Sequence, residues 1–190
     1  FTTERLVLRA PDSDDVAAYE RHFVDYEVVR HLAFHIPWPY PEGGVREFLL
    51  ERVMPSQGRA RWFWGMFLRE RDDELIGALE LWTPGDPENR GFWLGRAHWG
   101  QGYMTEAVEP VMDFAFDVVG LERLTFSNAR GNDRSSRVKE KSGARLVRME
   151  PASFVDPAYF EREIWTLERS DWKRSGGRTS KRAPRRGESS

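Results

Sequence analysis

The 190-residue chain is long enough for one ordinary domain, and 39% hydrophobic residues supply a core without any run near the ~20 apolar residues of a membrane span. With no cysteine it can hold no disulfide, no thiolate metal site and no cysteine nucleophile, and a reducing cytoplasm is the expected setting. The net charge of −2 is uneven: residues 173–190 hold seven Lys/Arg against the single acid Glu188, which leaves about −8 on the rest. That stretch, KRSGGRTSKRAPRRGESS, has no apolar period and is rich in Gly, Ser and Arg. It therefore reads as a disordered basic tail behind a domain of residues 1–172, and its charge leaves weak contact with nucleic acid or the ribosome open.

In chain order, RLVLR (residues 5–9) alternates apolar and charged residues as a half-buried strand does, and Asp12 or Ser13 offers an N-cap for a helix to about Phe23. A second helical piece over residues 27–33 ends before HIPWPYP, whose three prolines predict a loop carrying Trp38 and Tyr40. Residues 42–54 place Val45, Phe48, Leu49 and Val53 at helical spacing, with Pro55 expected beyond the end. Two β-rich runs, WFWGMFLRE and ELIGALELW, flank Arg71-Asp72-Asp73, a short polar connection suited to a hairpin. TPGDPEN is dense in turn formers, and GFWLG is a short strand.

The next helix runs to about Val119, with Ala107, Val108, Val111, Met112, Ala115 and Val119 on one face. Pro110 inside it predicts a bend or a later hydrogen-bonded start. LERLTFS is a strand, residues 132–141 form a helix stopped by Gly143, and ARLVRM and FEREIWTLE are two further strands. No internal repeat is visible. The mixed order predicts an α+β or α/β sheet domain.

Between GFWLG and that long helix lies HWGQGYMTEA, residues 98–107. A strand feeding a glycine turn and then a helix leaves backbone N–H groups free at the positive end of the helix dipole, which attracts phosphates. A helix start that needs flexible residues explains the same glycines. A dinucleotide turn would need a third glycine where Thr105 stands, and the chain has no G-x-x-x-x-G-K-S/T run, so both nucleotide folds are disfavoured.

GFWLGRAHWGQGYMTEAV resembles the acetyl-CoA-binding core of the GNAT superfamily, in particular its RimJ/RimL-like branch of N-acetyltransferases. The superfamily pattern Q/R-x-x-G-x-G/A falls on Trp99, Gly102 and Met104 and departs from it at Trp99 and Met104, but the branch commonly shows an aromatic residue before G-x-G and GYxTEA after it. NDRSSRVKEKSG (residues 132–143) resembles the branch's N-x-x-S-x-x-V/L-x-E-K-x-G. TTERLVLRA, IPWPYP, ELIGALEL and DPENRGFWLG extend the similarity over about residues 2–172. The resemblance implies the GNAT fold, a mixed sheet of about seven strands flanked by about four helices.

It also implies a donor site for acetyl-CoA. Backbone groups of Phe92, Trp93, Leu94 and Gly95 would take the pantetheine arm, and Trp99, Gly100, Gln101, Gly102, Tyr103 and Met104 the pyrophosphate. Ser135 matches the family serine that protonates the departing thiolate, and Asn132 would orient the pantetheine or its surroundings; both residue types also cap helices. Glu80, in an apolar strand run, is the candidate general base, because desolvation in a cleft would raise its pKa, although an alternating strand could equally point it to solvent. Glu106 reads as structural, favoured in the first helical turn by the dipole.

Trp38 and Tyr40 are candidates for walling an acceptor pocket or for filling core. His22, His31, His35 and His98 show no metal-ligand spacing, so no metal is expected. The reaction expected is direct attack of a primary amine on the thioester, with a protein or peptide N-terminal α-amine as the favoured acceptor. The alternatives are an antibiotic or polyamine N-acetyltransferase, or a GNAT-like module that binds acyl-CoA or a partner without catalysis. Either a monomer or a homodimer fits the chain, and no membrane association is expected.

Overall fold

The computed structural model describes residues 1–83 and 88–174, without the side chains of residues 72, 73, 173 and 174. Nearly all of the predicted basic tail lies outside the described residues.

Seven strands form one sheet: β1 (Leu6–Arg9), β2 (Arg61–Leu68), β3 (Arg71–Trp82), β4 (Arg90–Leu94), β5 (Arg123–Ala129), β6 (Arg145–Pro151) and β7 (Glu161–Glu168). Their order is β1-β2-β3-β4-β5-β7-β6, antiparallel throughout except between β4 and β5. The helices are α1 (Val16–Phe23), α2 (Tyr26–Val29), α3 (Gly44–Glu47), α4 (Met54–Ser56), α5 (Tyr103–Asp113), α6 (Asp133–Lys141) and α7 (Arg169–Arg174).

Strand alternation divides the core between the two faces. Leu79 and Leu81 of β3 join Val108, Val111 and Met112 of α5 in one cluster, while Phe63 and Ala78 join Val16, Tyr19 and Leu49 in the other. The apolar stripe read on α5 is the buried one, with Ala107, Val108, Val111, Met112 and Ala115 all inside.

Four local readings change. The hairpin turn sits at Arg69-Glu70 and not at Arg71-Asp72-Asp73, because register shifts around Phe67 absorb the extra residues within β3. The second helix stops at Val29. Beyond it the backbone pairs with a distant segment, Phe34 N–H donating to the Ser153 carbonyl at 3.2 Å and Val155 N–H to that of Leu32 at 2.9 Å.

Pro55 lies inside α4, where a wide turn over Phe48–Val53 restarts the helix and a first-turn proline loses no bond. α5 starts at Tyr103 despite Pro110, so no later start occurs; the helix widens afterwards over Phe114–Val118, where Val119 N–H reaches back to the Phe114 carbonyl at 3.0 Å. The final helix α7 is unanticipated. Its Trp172 is buried and donates to Asp113 Oδ1 at 2.8 Å, a contact that no local pattern could announce.

Candidate active site

β4 and β5 pair in parallel only at Arg90 and Phe126. Past that point the strands separate, so β4 from Gly91 to Leu94 and β5 from Ser127 to Ala129 present edges unpaired with each other along a V-shaped opening. A cleft of about 1110 Å³ occupies this opening and continues to the start of α5.

The glycine turn closes one end of the cleft. Gly100 and Gly102 have φ of +77° and +84°, in the left-handed region where a Cβ is strained. No neighbour lies within 4 Å of a Cβ built on Gly100, so torsion rather than crowding requires glycine there. Gly102 brings no side-chain cap to α5, and the first N–H groups of an α-helix have no partner within it, so this end is open to an anion.

The turn is tied to the N-terminal segment. Arg5 Nη1 donates to the Gln101 carbonyl at 3.0 Å, and its guanidinium lies 4.4 Å from the Tyr103 ring centroid. Glu106 accepts from Thr3 Oγ1 at 2.6 Å, from Arg5 N–H at 2.8 Å and from Arg5 Nε at 2.7 Å. Burial alone would raise its pKa, but these donors outweigh it and hold the carboxylate below its ordinary range. Glu106 is thus a brace for the turn.

α6 frames the opposite wall. Asn132 Oδ1 accepts from Ser135 N–H at 3.3 Å as the N-cap, so its capping role is observed. Ser135 is buried, and its Oγ accepts a hydrogen bond from Lys139 Nζ at 2.7 Å. With that acceptor position filled, the serine hydrogen is free to donate elsewhere. Lys139 is 1% exposed, and burial, helped by the charge of Arg90, pushes its pKa well below the usual lysine range.

Glu80 faces the cleft from β3, paired in register with Gly91. Burial raises its pKa and nearby Glu88 adds to this, while Arg61 opposes it. Arg61 Nε lies 3.3 Å from Glu80 Oε2, an ion pair by distance but outside hydrogen-bond geometry, so that oxygen has no donor.

The structure gathers most of the predicted residues on this one cleft, including Phe92, Trp93, Leu94, Trp99, Tyr103 and Met104. Tyr40 lines it too, with its ring 5.1 Å from that of Phe23, whereas Trp38 lies outside the lining with its ring tilted against that of Tyr26, centroids 5.2 Å apart. Gly95 and Gln101 are also outside the lining; Gly95 lets the His22 ring approach, and Gln101 Nε2 donates to the Ala97 carbonyl at 2.9 Å. Trp99 has a local job: its indole N–H donates to the Leu94 carbonyl at 2.7 Å, and Arg134 stacks over its ring at 3.9 Å. Sequence reading missed Arg61, Arg90 and Lys139. Only Lys139 carried a signal, four residues after Ser135 and so on the same helical face.

Among the described residues no group of three His, Asp or Glu side chains could hold a metal ion, and no helix is long and apolar enough to cross a membrane. The chain is 28% identical over 130 residues to a ribosomal-protein-serine acetyltransferase of Escherichia coli, an alignment covering 64% of this chain and 70% of that one. Its fold matches RimL, a ribosomal L7/L12 α-N-protein acetyltransferase solved with coenzyme A, at TM-score 0.73 and 18% identity over 87% of this chain and 95% of that one. It matches equally a spermidine N-acetyltransferase from Vibrio cholerae solved with CoA and spermine, at TM-score 0.72 and 16% identity over 88% of this chain and 98% of that one. The family model for the acetyltransferase (GNAT) domain matches residues 5–145, so the splayed strands, the glycine turn and the α6 wall are those of a chain that belongs to the GNAT acetyltransferases.

Proposed function

We propose that this N-acetyltransferase transfers acetyl from acetyl-CoA to a protein or peptide N-terminal α-amine. The observation that carries the acceptor class is the charge pairing on the acceptor side of the cleft. Of the four carboxylates lining the cleft among the described residues, Glu27 pairs with Arg30 at 2.9 Å, Glu47 with Arg52 at 3.9 Å and Glu80 with Arg61 at 3.3 Å, while Glu88 accepts from Ser127 N–H and Oγ at 3.0 and 2.6 Å, so three are matched by an arginine and the fourth is hydrogen-bonded. A polyamine or aminoglycoside calls for several unmatched carboxylates. A single α-amine, with a pKa of about 8, needs only one modest base.

The residues divide the work as follows. The turn from Trp99 to Met104 holds the pyrophosphate through main-chain N–H groups, and Phe92 and Trp93 on the unpaired β4 edge orient the pantetheine arm. Acetyl-CoA supplies the activated thioester. Glu80 takes a proton from the amine, directly or through water, and its raised pKa suits that task near neutral pH. Ser135, its oxygen held by Lys139, donates to the departing sulfur. Tyr40 lines the acceptor end. The relatives named for ribosomal proteins support this reading, and the spermidine enzyme defines the competing one.

The test is acetyl-CoA consumption across peptides with free N-termini, the same peptides N-terminally blocked, polyamines and aminoglycosides. Turnover with free but not blocked peptides is expected. Turnover confined to polyamines or aminoglycosides overturns the acceptor assignment, and no turnover with any amine overturns catalysis.

A further inference from the structure

Arg90 sits where β4 and β5 converge, on the α5 side of the sheet, and is 2% exposed. Its Nη1 makes one weak contact, to Met112 Sδ at 3.6 Å, and the guanidinium lies 4.1 Å from the Phe126 ring centroid and 5.5 Å from that of Phe92. Among the described residues its Nε and Nη2 have no hydrogen-bond partner. Those two atoms form one edge of the guanidinium, the fork that grips a carboxylate through two parallel bonds.

Lys139 approaches from α6 with its Nζ 5.4 Å from the same Phe92 ring, and among the described residues Ser135 is its hydrogen-bond acceptor. The two acids whose charge acts on Lys139 are engaged elsewhere. Glu88 accepts from Ser127 N–H and Oγ at 3.0 and 2.6 Å, and Glu163 from Asn128 Nδ2 and Ser136 Oγ at 3.0 and 2.8 Å. A buried guanidinium without an anion is costly, and burial lowers the Arg90 pKa only to about 9, so it stays charged at neutral pH.

Arg90, Lys139 and Ser135 all line the donor cleft. An acceptor on the Glu80 side meets the other face of the sheet, since Glu80 pairs with Gly91 while Arg90 pairs with Leu81. On the donor reading proposed above, the acyl end of the thioester is the part that would reach the convergence of β4 and β5. We propose that Arg90, assisted by Lys139, binds the terminal carboxylate of a dicarboxylic acyl-CoA, so that the enzyme accepts carboxyacyl donors as well as acetyl-CoA.

This rests on the acyltransferase reading above and extends its donor. The step is the same: the amine nitrogen bonds to the acyl carbon, the carbon–sulfur bond breaks, Glu80 receives the amine proton and Ser135 supplies one to the sulfur. The distal carboxylate is unchanged.

Titration calorimetry on the full chain with succinyl-CoA and butyryl-CoA isolates the carboxylate, because the two acyl groups have equal carbon counts. Malonyl-CoA against propionyl-CoA and glutaryl-CoA against valeryl-CoA cover the neighbouring lengths. At least one carboxylated thioester is expected to bind about tenfold or more tighter than its uncharged match. Arg90→Met should narrow that gap while leaving butyryl-CoA affinity within about twofold, and Lys139→Met should narrow it as well.

Arg90→Met should also raise the Tm of the free protein, since it removes an unpaired buried charge. Should Arg90→Met fail to fold, the wild-type comparison and Lys139→Met still decide the matter. Equal or weaker binding of every carboxylated thioester, or a gap that survives both variants, overturns the proposal and leaves the acyltransferase reading intact. Failure to bind any CoA thioester overturns both.

Discussion

Lys139 Nζ donates to Ser135 Oγ across one turn of α6, 2.7 Å apart, with both residues buried beside the opening of the β4/β5 splay. The lysine occupies the serine's acceptor side and leaves its hydroxyl hydrogen for the cleft. The hydroxyl is thus free for the proton-donor role proposed above, and the cap itself falls to Asn132.

Ser135→Ala should therefore lower kcat by about 100-fold or more with little change in acetyl-CoA affinity, the signature of a lost general acid. Steady-state kinetics with the best acceptor, alongside calorimetry with CoA, check this. A rise in KM with kcat intact would instead make Ser135 a binding residue.

As the proposed base, Glu80 would have to be ionised to accept the amine proton, and its folded pKa is raised by burial. Activity should then climb with pH through a limb above the ordinary carboxylate range, and Glu80→Gln should remove that limb along with most of kcat. Arg61 opposes the upward shift, so Arg61→Met should move the limb to higher pH. A kcat/KM profile of each variant reads the outcome; an unmoved limb in Glu80→Gln would assign the base elsewhere.

Glu106 has the opposite perturbation. Its folded pKa is depressed, so its stabilisation is complete above the unfolded carboxylate pKa and is lost as pH falls through the folded value. Glu106→Gln should flatten the acid side of the stability curve and cost about 1–3 kcal/mol at neutral pH, because the donors from Thr3 and Arg5 lose a charged acceptor. Urea melts across the acid range measure both effects.

Gly102 occupies φ +84° with little around its Cβ position except Arg5 Nη2 at 3.5 Å. Gly102→Ala should cost about 1–2 kcal/mol through torsion and weaken CoA binding by turning the first α5 N–H groups away from their common focus. Gly102→Asn, better tolerated in that region, should recover part of both losses. Equal CoA affinity for the glycine and alanine proteins would show that the turn does not hold the pyrophosphate.

Asn132→Ala should cost about 0.5–2 kcal/mol through the lost cap of α6. Hydrogen exchange should show the first turn of α6 opening more often. Ser135 would lose its fixed place with it, so kcat should fall further than stability alone explains.

Much of this molecule is legible in its sequence because much of it is local. Alternation in RLVLR sets the faces of β1, the apolar run in ELIGALEL marks a buried strand, the spacing of Ala107, Val108, Val111 and Met112 sets the buried side of α5, and the two glycines permit the positive φ values of the turn. The family motifs then point to the donor site, since main-chain contacts follow from backbone shape whatever side chains occupy Trp99 and Met104. Periodicity and torsional freedom belong to contiguous residues, so a linear reading reaches them.

The tertiary structure alone decides which charges meet. Arg61 lies beside Glu80 through strand pairing, Arg90 shares its cavity with Lys139 through the packing of α6 on the splay, and Tyr40 reaches the cleft while Trp38 turns to Tyr26. The end of α2 likewise depends on residues near 154 claiming its backbone bonds. The strength of a charge, and hence the chemistry it performs, depends on the groups and the solvent around it in space, and those come from parts of the chain far apart in sequence.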